Sequence, residues 1–94
     1  MRVSVEFYGI PRRRAGHPQT EIELPGETAT LADLLARLVE RYPALAVDCL
    51  RVGAAGGQLQ EHCLAQHGTA ITRDSQRPLR DGDVLLLLSA DAGG

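Results

Sequence analysis

Lysine is missing from this chain altogether: all ten basic residues are arginine. Tryptophan is missing too, and Phe7, Tyr8 and Tyr42 are the only aromatics, so the core has to be aliphatic. Each scarcity excludes something. Two cysteines, Cys49 and Cys63, are too few for a disulfide scaffold, a cysteine-only metal site or the four thiolates of an iron–sulfur cluster. A net charge of -2 speaks against a nucleic-acid binder. No basic-then-apolar leader opens the chain, and no apolar run approaches the roughly 20 residues that span a bilayer. The expectation is a cytoplasmic protein with reduced thiols and no membrane partner.

What is present fits one domain: 94 residues, 44% hydrophobic. "RVSVEFY" alternates, with Val3, Val5 and Phe7 on one side, and reads as a half-buried strand. "GIPRRRAGHP" breaks the pattern with two glycines and two prolines and reads as a loop. Its Arg12, Arg13 and Arg14 read as a solvated turn, with a docking contact for an acidic partner as the alternative. "TEIEL" alternates again and completes a hairpin with a long loop, and "PGETAT" is a second break.

The strongest periodicity follows. Leu31, Leu34, Leu35, Leu38, Val39 and Tyr42 lie on one helical stripe. Thr30 and Asp33 have capping-box spacing, Asp33 and Arg37 could pair across one turn, and Pro43 ends the helix. Beyond it, "GAAGG" reads as a mobile loop, "HCLAQ" and "TAIT" as short strands around a turn at His67-Gly68, and "DSQRPLRDGD" as turns. "VLLLL" shows no alternation, as expected of a strand covered on both faces. The order β, β, α, β, β, β is α+β, with the apolar first and last strands side by side at the centre of the sheet. His17, His62 and His67 do not converge with the cysteines by local spacing, so no metal site is expected; they read as satisfied surface histidines and small buried thiols.

Three stretches carry a resemblance. "MRVSVEFYGIPRRRAG" is similar to the opening strand and basic loop of MoaD-type proteins, and "LADLLARLVERYPAL" to their single long helix. In "RPLRDGDVLLLLSADAGG" a PL-x-DGD turn enters the last strand and the sequence closes on Gly-Gly. On these stretches the chain resembles the MoaD/ThiS family of ubiquitin-like sulfur carriers, on its MoaD-like branch; residues 47–61 match poorly. The resemblance implies a β-grasp domain over residues 1–88, a mixed sheet of four to five strands with one long helix on one face, and a flexible tail over residues 89–94. Leu87, Leu88, Ser89 and Ala90 stand where MoaD-type tails carry aromatics and prolines, and His67-Gly68 where the family often has Asn-Gly. These departures bear on molybdopterin synthase in particular and leave the carrier chemistry untouched.

What the resemblance implies about function concerns Gly94. A terminal carboxylate is ionised and unreactive at neutral pH. An adenylyltransferase of MoeB/ThiF type would join it to AMP from ATP. A sulfur donor such as a rhodanese or cysteine desulfurase would displace the AMP, and the thiocarboxylate would pass sulfur to an acceptor synthase subunit. Ala92 and Gly93 would thread into those active sites, where a Cβ would clash. The chain itself would hold no cofactor and no catalytic residue. By the same resemblance Leu85 and Leu87 point inward, and Val84, Leu86 and Leu88 point outward beside Tyr8 as a partner-binding patch. Sequence alone does not fix this parity, and a covering loop or second copy is the other reading. Two rival functions stand. One is a ubiquitin-like modifier conjugated through Gly94, limited to single copies by the missing lysines except at the N-terminus. The other is a β-grasp interaction module without terminal chemistry.

Overall fold

Val3, Val5 and Phe7 are fully buried while Ser4 and Glu6 between them are half-buried, so the alternation read from the sequence is the alternation of the first strand, β1 (Arg2–Phe7). In the computed structural model residues 1–89 are described, and the expected tail residues Ala92, Gly93 and Gly94 lie outside them. β1 pairs antiparallel with β2 (Gln19–Glu23). Between them runs a helix rather than the expected loop, α1 (Ile10–Ala15). Its punctuation is that of a helix: Pro11 in the first turn, and Gly16 just past the end at φ 75°, its N–H donating to the Arg12 carbonyl at 2.9 Å.

"PGETAT" also holds structure. β3 (Thr28–Thr30) pairs antiparallel with β8 (Pro78–Arg80), a small second sheet inside two stretches read as turns. Thr30 then starts α2 (Leu31–Arg41) through the expected capping box. Asp33 N–H donates to Thr30 Oγ1 at 3.3 Å, and Asp33 Oδ2 accepts from Thr30 N–H at 2.9 Å. That commitment takes Asp33 away from the expected pair with Arg37, which instead reaches Glu40 at 3.4 Å. The helix stops at Tyr42 and continues as a turn of 3-10 helix over Pro43–Ala46.

The glycine-rich "GAAGG" is a hairpin, not a mobile loop. β4 (Leu50–Gly53) and β5 (Gly56–Leu59) pair antiparallel around Ala54 and Ala55. β5 lies against α2, which is why glycine is needed there. A Cβ on Gly57 would stand 2.5 Å from Leu35 Cβ and 2.8 Å from the Ala36 nitrogen. β6 (Cys63–His67) and β7 (Ala70–Thr72) form the next hairpin, and β9 (Val84–Ser89) closes the fold.

The main sheet has five strands in the order β2-β1-β9-β6-β7, with β1 and β9 parallel and the other neighbours antiparallel. The apolar first and last strands are adjacent as expected, and β9 is central. One face of this mixed sheet carries α2, whose Leu31, Leu34, Leu35 and Leu38 are fully buried with Leu85, Leu87, Ile22 and Ala65. The scarce aromatics are placed at its border: Phe7 meets Tyr42 edge-on at 5.7 Å, and Tyr42 donates to Thr20 Oγ1 at 2.8 Å. The result is α+β, a β-grasp with one long helix on one face of the sheet.

Candidate docking face and tail root

β9 decides the geometry of the site. Leu85 and Leu87 are fully buried against the helix layer; Leu86 and Leu88 are half-buried on the other face, and Val84 is 42% exposed there. The expectation that "VLLLL" is covered on both faces is therefore wrong for the described residues. The strand alternates, but leucine on both sides hides the alternation from a hydropathy reading.

Register extends this outer row sideways, because residues directly opposite each other share a face. In β6, Leu64 stands opposite Leu88 and Gln66 opposite Leu86; in β7, Ile71 stands opposite Gln66. Ile71 is 55% exposed. The stripe thus includes Leu64 and Ile71, which sequence reasoning missed. The signal for Leu64 was there: Cys63 and Ala65 are the inward pair of "HCLAQ", so the leucine between them must face out. On the other flank Ser4 stands beside Val84 and Glu6 beside Leu86. Tyr8, at the end of β1, donates its hydroxyl to Glu6 Oε1 at 2.5 Å. That hydrogen bond, followed by desolvation, pushes the phenol above its ordinary value, so it stays a neutral donor. Beyond β1 the face turns ionic, with Arg2 between Glu21 and Glu23 at 3.5 and 2.7 Å.

β9 ends at Ser89, which the sequence reading put in the tail. It is the last residue of β9, 6% exposed, and its Oγ accepts the Ile10 N–H at 2.6 Å. The start of α1 is thereby pinned to the end of β9. The arginines of α1 divide. Arg14 grips Asp48 at 2.7 and 2.9 Å, and this bond holds the Asp48 carboxyl below its ordinary value. Arg12 and Arg13 remain exposed on this helix, so the basic cluster is helical and not the solvated turn expected.

The histidines and cysteines divide too. His17 packs on Tyr42, with ring centroids 5.6 Å apart. Arg77 Nε–H donates to His67 Nδ1 at 2.8 Å; arginine can only donate, so the ring proton sits on Nε2 and is shared with Asp83 Oδ2, also at 2.8 Å. Cys49 and Cys63, which spacing did not bring together, meet in the core and are both 1% exposed. The bond to Cys63, then burial, pushes the Cys49 thiol upward. Among the described residues no three metal-binding side chains come together, and no helix is long and apolar enough to cross a membrane.

The family model of the ThiS family matches residues 5–94 of this sequence. The chain belongs to the ThiS family. Its fold is shared by the crystal structure of small archaeal modifier protein 1 from Haloferax volcanii, at TM-score 0.78 and 25% identity over all of both chains. A Pyrococcus furiosus protein described as a molybdopterin converting factor, subunit 1, superposes at TM-score 0.73 and 22% identity over 95% of this chain and 97% of that one. A chain of the BexX/CysO complex from Amycolatopsis orientalis does so at 0.69 and 21%, over 98% and 99%. No curated protein matches the sequence. Membership places this ThiS-family chain among the ubiquitin-like sulfur carriers and modifiers.

Proposed function

We propose that this chain is a sulfur carrier whose Gly94 carboxylate is adenylated by a partner and converted to a thiocarboxylate that donates sulfur in biosynthesis. The observation that carries the reading is β9: an outward apolar row of Val84, Leu86 and Leu88 leads straight to the sequence that closes on Gly93 and Gly94. A partner that docks on that row is positioned to receive the chain end. The family match running through Gly94 supports the same reading.

The chemistry is substrate-like. The carboxylate oxygen attacks the α-phosphorus of ATP in the partner's site, releasing pyrophosphate. A sulfur nucleophile attacks the resulting mixed anhydride, the C–O bond to AMP breaks, and AMP leaves with the electron pair. This chain's part is to present the terminus, to dock through Tyr8 and the β9 row, and to place no Cβ at the last two positions. The partner is an adenylyltransferase of MoeB/ThiF type, followed by a sulfur donor and an acceptor synthase subunit.

The test is intact mass after incubation with such an adenylyltransferase, ATP and a sulfide source. Replacement of one oxygen by sulfur at the C-terminus is expected; an unchanged mass alongside a working control carrier overturns the reading. Conjugation through Gly94 to a target amine is the second reading, favoured by the 25% identity to an archaeal modifier protein. It predicts loss of water on joining a target and no sulfur gain.

A further inference from the structure

Cys49 and Cys63 are reactive side chains for which the carrier reading has no use. Local spacing did not bring them together; the fold does, through Gln60. The Gln60 N–H donates to the Cys49 carbonyl at 2.9 Å, and the Gln60 carbonyl accepts from the Cys63 N–H at 3.0 Å, so the two cysteines flank one residue. Gln60 is itself held, its side-chain amide donating to Leu50 O at 2.8 Å. Cys49 immediately precedes β4, and Cys63 opens β6 opposite Ser89. Both side chains lie in the core at 1% exposure, and both thiols are free. Each is the first influence on the other's acidity, which requires direct neighbours. Their surroundings differ in charge. Asp48 Oδ1 stands 3.5 Å from the Cys49 sulfur, whereas Arg73 donates to Cys63 O at 2.7 Å and to Gln60 O at 2.9 Å. The hydrogen bond from Cys49 holds the Cys63 thiol below its ordinary value against burial, and the Arg73 charge adds to this, while Cys49 is pushed up.

We propose that Cys49 and Cys63 are a site of reversible oxidation, closing to a disulfide within the folded chain under peroxide and reopening under a dithiol. Cys63 meets the oxidant. Its sulfur attacks one peroxide oxygen, the O–O bond breaks, and the departing hydroxide takes the thiol proton to leave as water. The Cys49 sulfur then attacks the Cys63 sulfenic acid: the S–S bond forms, the S–O bond breaks, and a second water leaves with the Cys49 proton. The two sulfurs lose two electrons and the peroxide gains them. A dithiol reverses the change by two exchanges and ends as its own disulfide. At 1% exposure neither sulfur meets peroxide in the closed fold, so oxidation waits on local opening of the turn that carries exposed Glu61 and His62. The resolving thiol is then already alongside, which favours the bridge over further oxidation of Cys63. The bridge ties the β4–β5 hairpin, which lies on α2, to β6 of the main sheet. Neither the outer face of β9 nor Gly94 takes part, so the site stands whether or not the carrier reading does.

The experiment exposes the reduced whole chain to hydrogen peroxide under native conditions, then alkylates it with iodoacetamide in denaturant and reads the intact mass. Untreated protein is expected to take up an adduct on each cysteine. Oxidised protein is expected to take up none, to have lost two hydrogens, to stay monomeric and to unfold at a higher temperature than the reduced form. Dithiothreitol should restore both adducts and the original Tm. Cys49→Ala leaves Cys63 without its resolving partner, so dimedone should trap its sulfenic acid at least about tenfold more than in wild type. Cys63→Ala should oxidise about tenfold more slowly than Cys49→Ala, since the more acidic thiol is the one removed. The wild-type arm decides without either variant. Thiols that stay alkylatable after peroxide overturn the proposal, as do disulfide-linked dimers, sulfinic acid in place of the bridge, or a bridge that forms only in denaturant. A bridged chain with a lowered Tm overturns it too, because the disulfide would then not fit the folded state. Equal oxidation of the two variants overturns the assignment of Cys63 as the sulfur that meets the oxidant.

Discussion

Gly57 shows how one residue sets the distance between two elements. β5 crosses α2 at contact range because there is no side chain between them, and the atoms a Cβ would meet include the backbone nitrogen of Ala36. A helix backbone cannot step aside as a flexible side chain can. Gly57→Ala should therefore push β5 off α2, an overpacking cost of about 1–3 kcal/mol. Thermal unfolding should show a fall of several degrees, and a Tm unchanged within error would mean that the hairpin does not press on the helix. Asp83 acts through charge. Burial pushes its carboxyl up, but the Arg80 N–H at 2.9 Å and His67 outweigh this and hold it below the ordinary value of 3.8. A carboxyl lowered in the folded state adds stability above its unfolded pKa and loses it as pH falls through the folded one. The Tm gap between wild type and Asp83→Asn should thus be widest near neutrality and close as acid is added below 3.8. A gap that stays constant into strong acid would show that the charge contributes nothing and only the shape of the side chain matters.

At the scale of elements, the last strand carries the sharpest prediction. Its two faces differ in burial though not in chemistry, so the same substitution one residue apart should have opposite consequences. Leu85 is fully buried among Val5, Leu87 and the helix leucines, and a glutamate there would be an unpaired buried charge. Leu85→Glu should unfold the chain. Leu86 is half-buried on the open face, so Leu86→Glu should fold with near-native circular dichroism. On the carrier reading it should weaken binding to the adenylyltransferase by more than about tenfold, because the charge would be desolvated against an apolar partner. Normal sulfur acceptance by Leu86→Glu would move the docking surface elsewhere, with exposed Arg12 and Arg13 on α1 the next candidates. The same strand shows where sequence reading runs out. β1 and α2 were legible because each has one apolar and one polar side, which is what periodicity measures. β9 was legible as a strand, but its faces were not, since leucine fills both. α1 was missed because proline and glycine were taken as breaks when here they bound a short helix. The β4–β5 hairpin was missed because its glycines answer to Leu35 and Ala32 across the fold, a constraint that no local pattern contains.

At the scale of the molecule, the question is how far the chain end can stand from the docked body. Ser89 is bound into β9 and to Ile10, and five residues of the sequence follow it, not the six of a tail starting at Ser89. Five residues cannot span more than about 17 Å even when extended. On the carrier reading, docking by the outer row of β9 and arrival of Gly94 at the reactive phosphate must then happen within that radius, which makes chain length as restrictive as chain chemistry. Adding a single alanine after Gly94 puts a Cβ on the reacting residue and shifts the glycines one place back. Folding should be untouched, since the change lies beyond the end of β9 and outside the core. Thiocarboxylate formation should disappear, as it should on deletion of Gly93 and Gly94. Intact mass settles both points at once, because it reports the extra alanine and any sulfur in one spectrum. An extended protein that keeps its alanine and still gains sulfur would show that the partner reads neither the glycine terminus nor its distance from Ser89, and the docking geometry built on β9 would have to be abandoned.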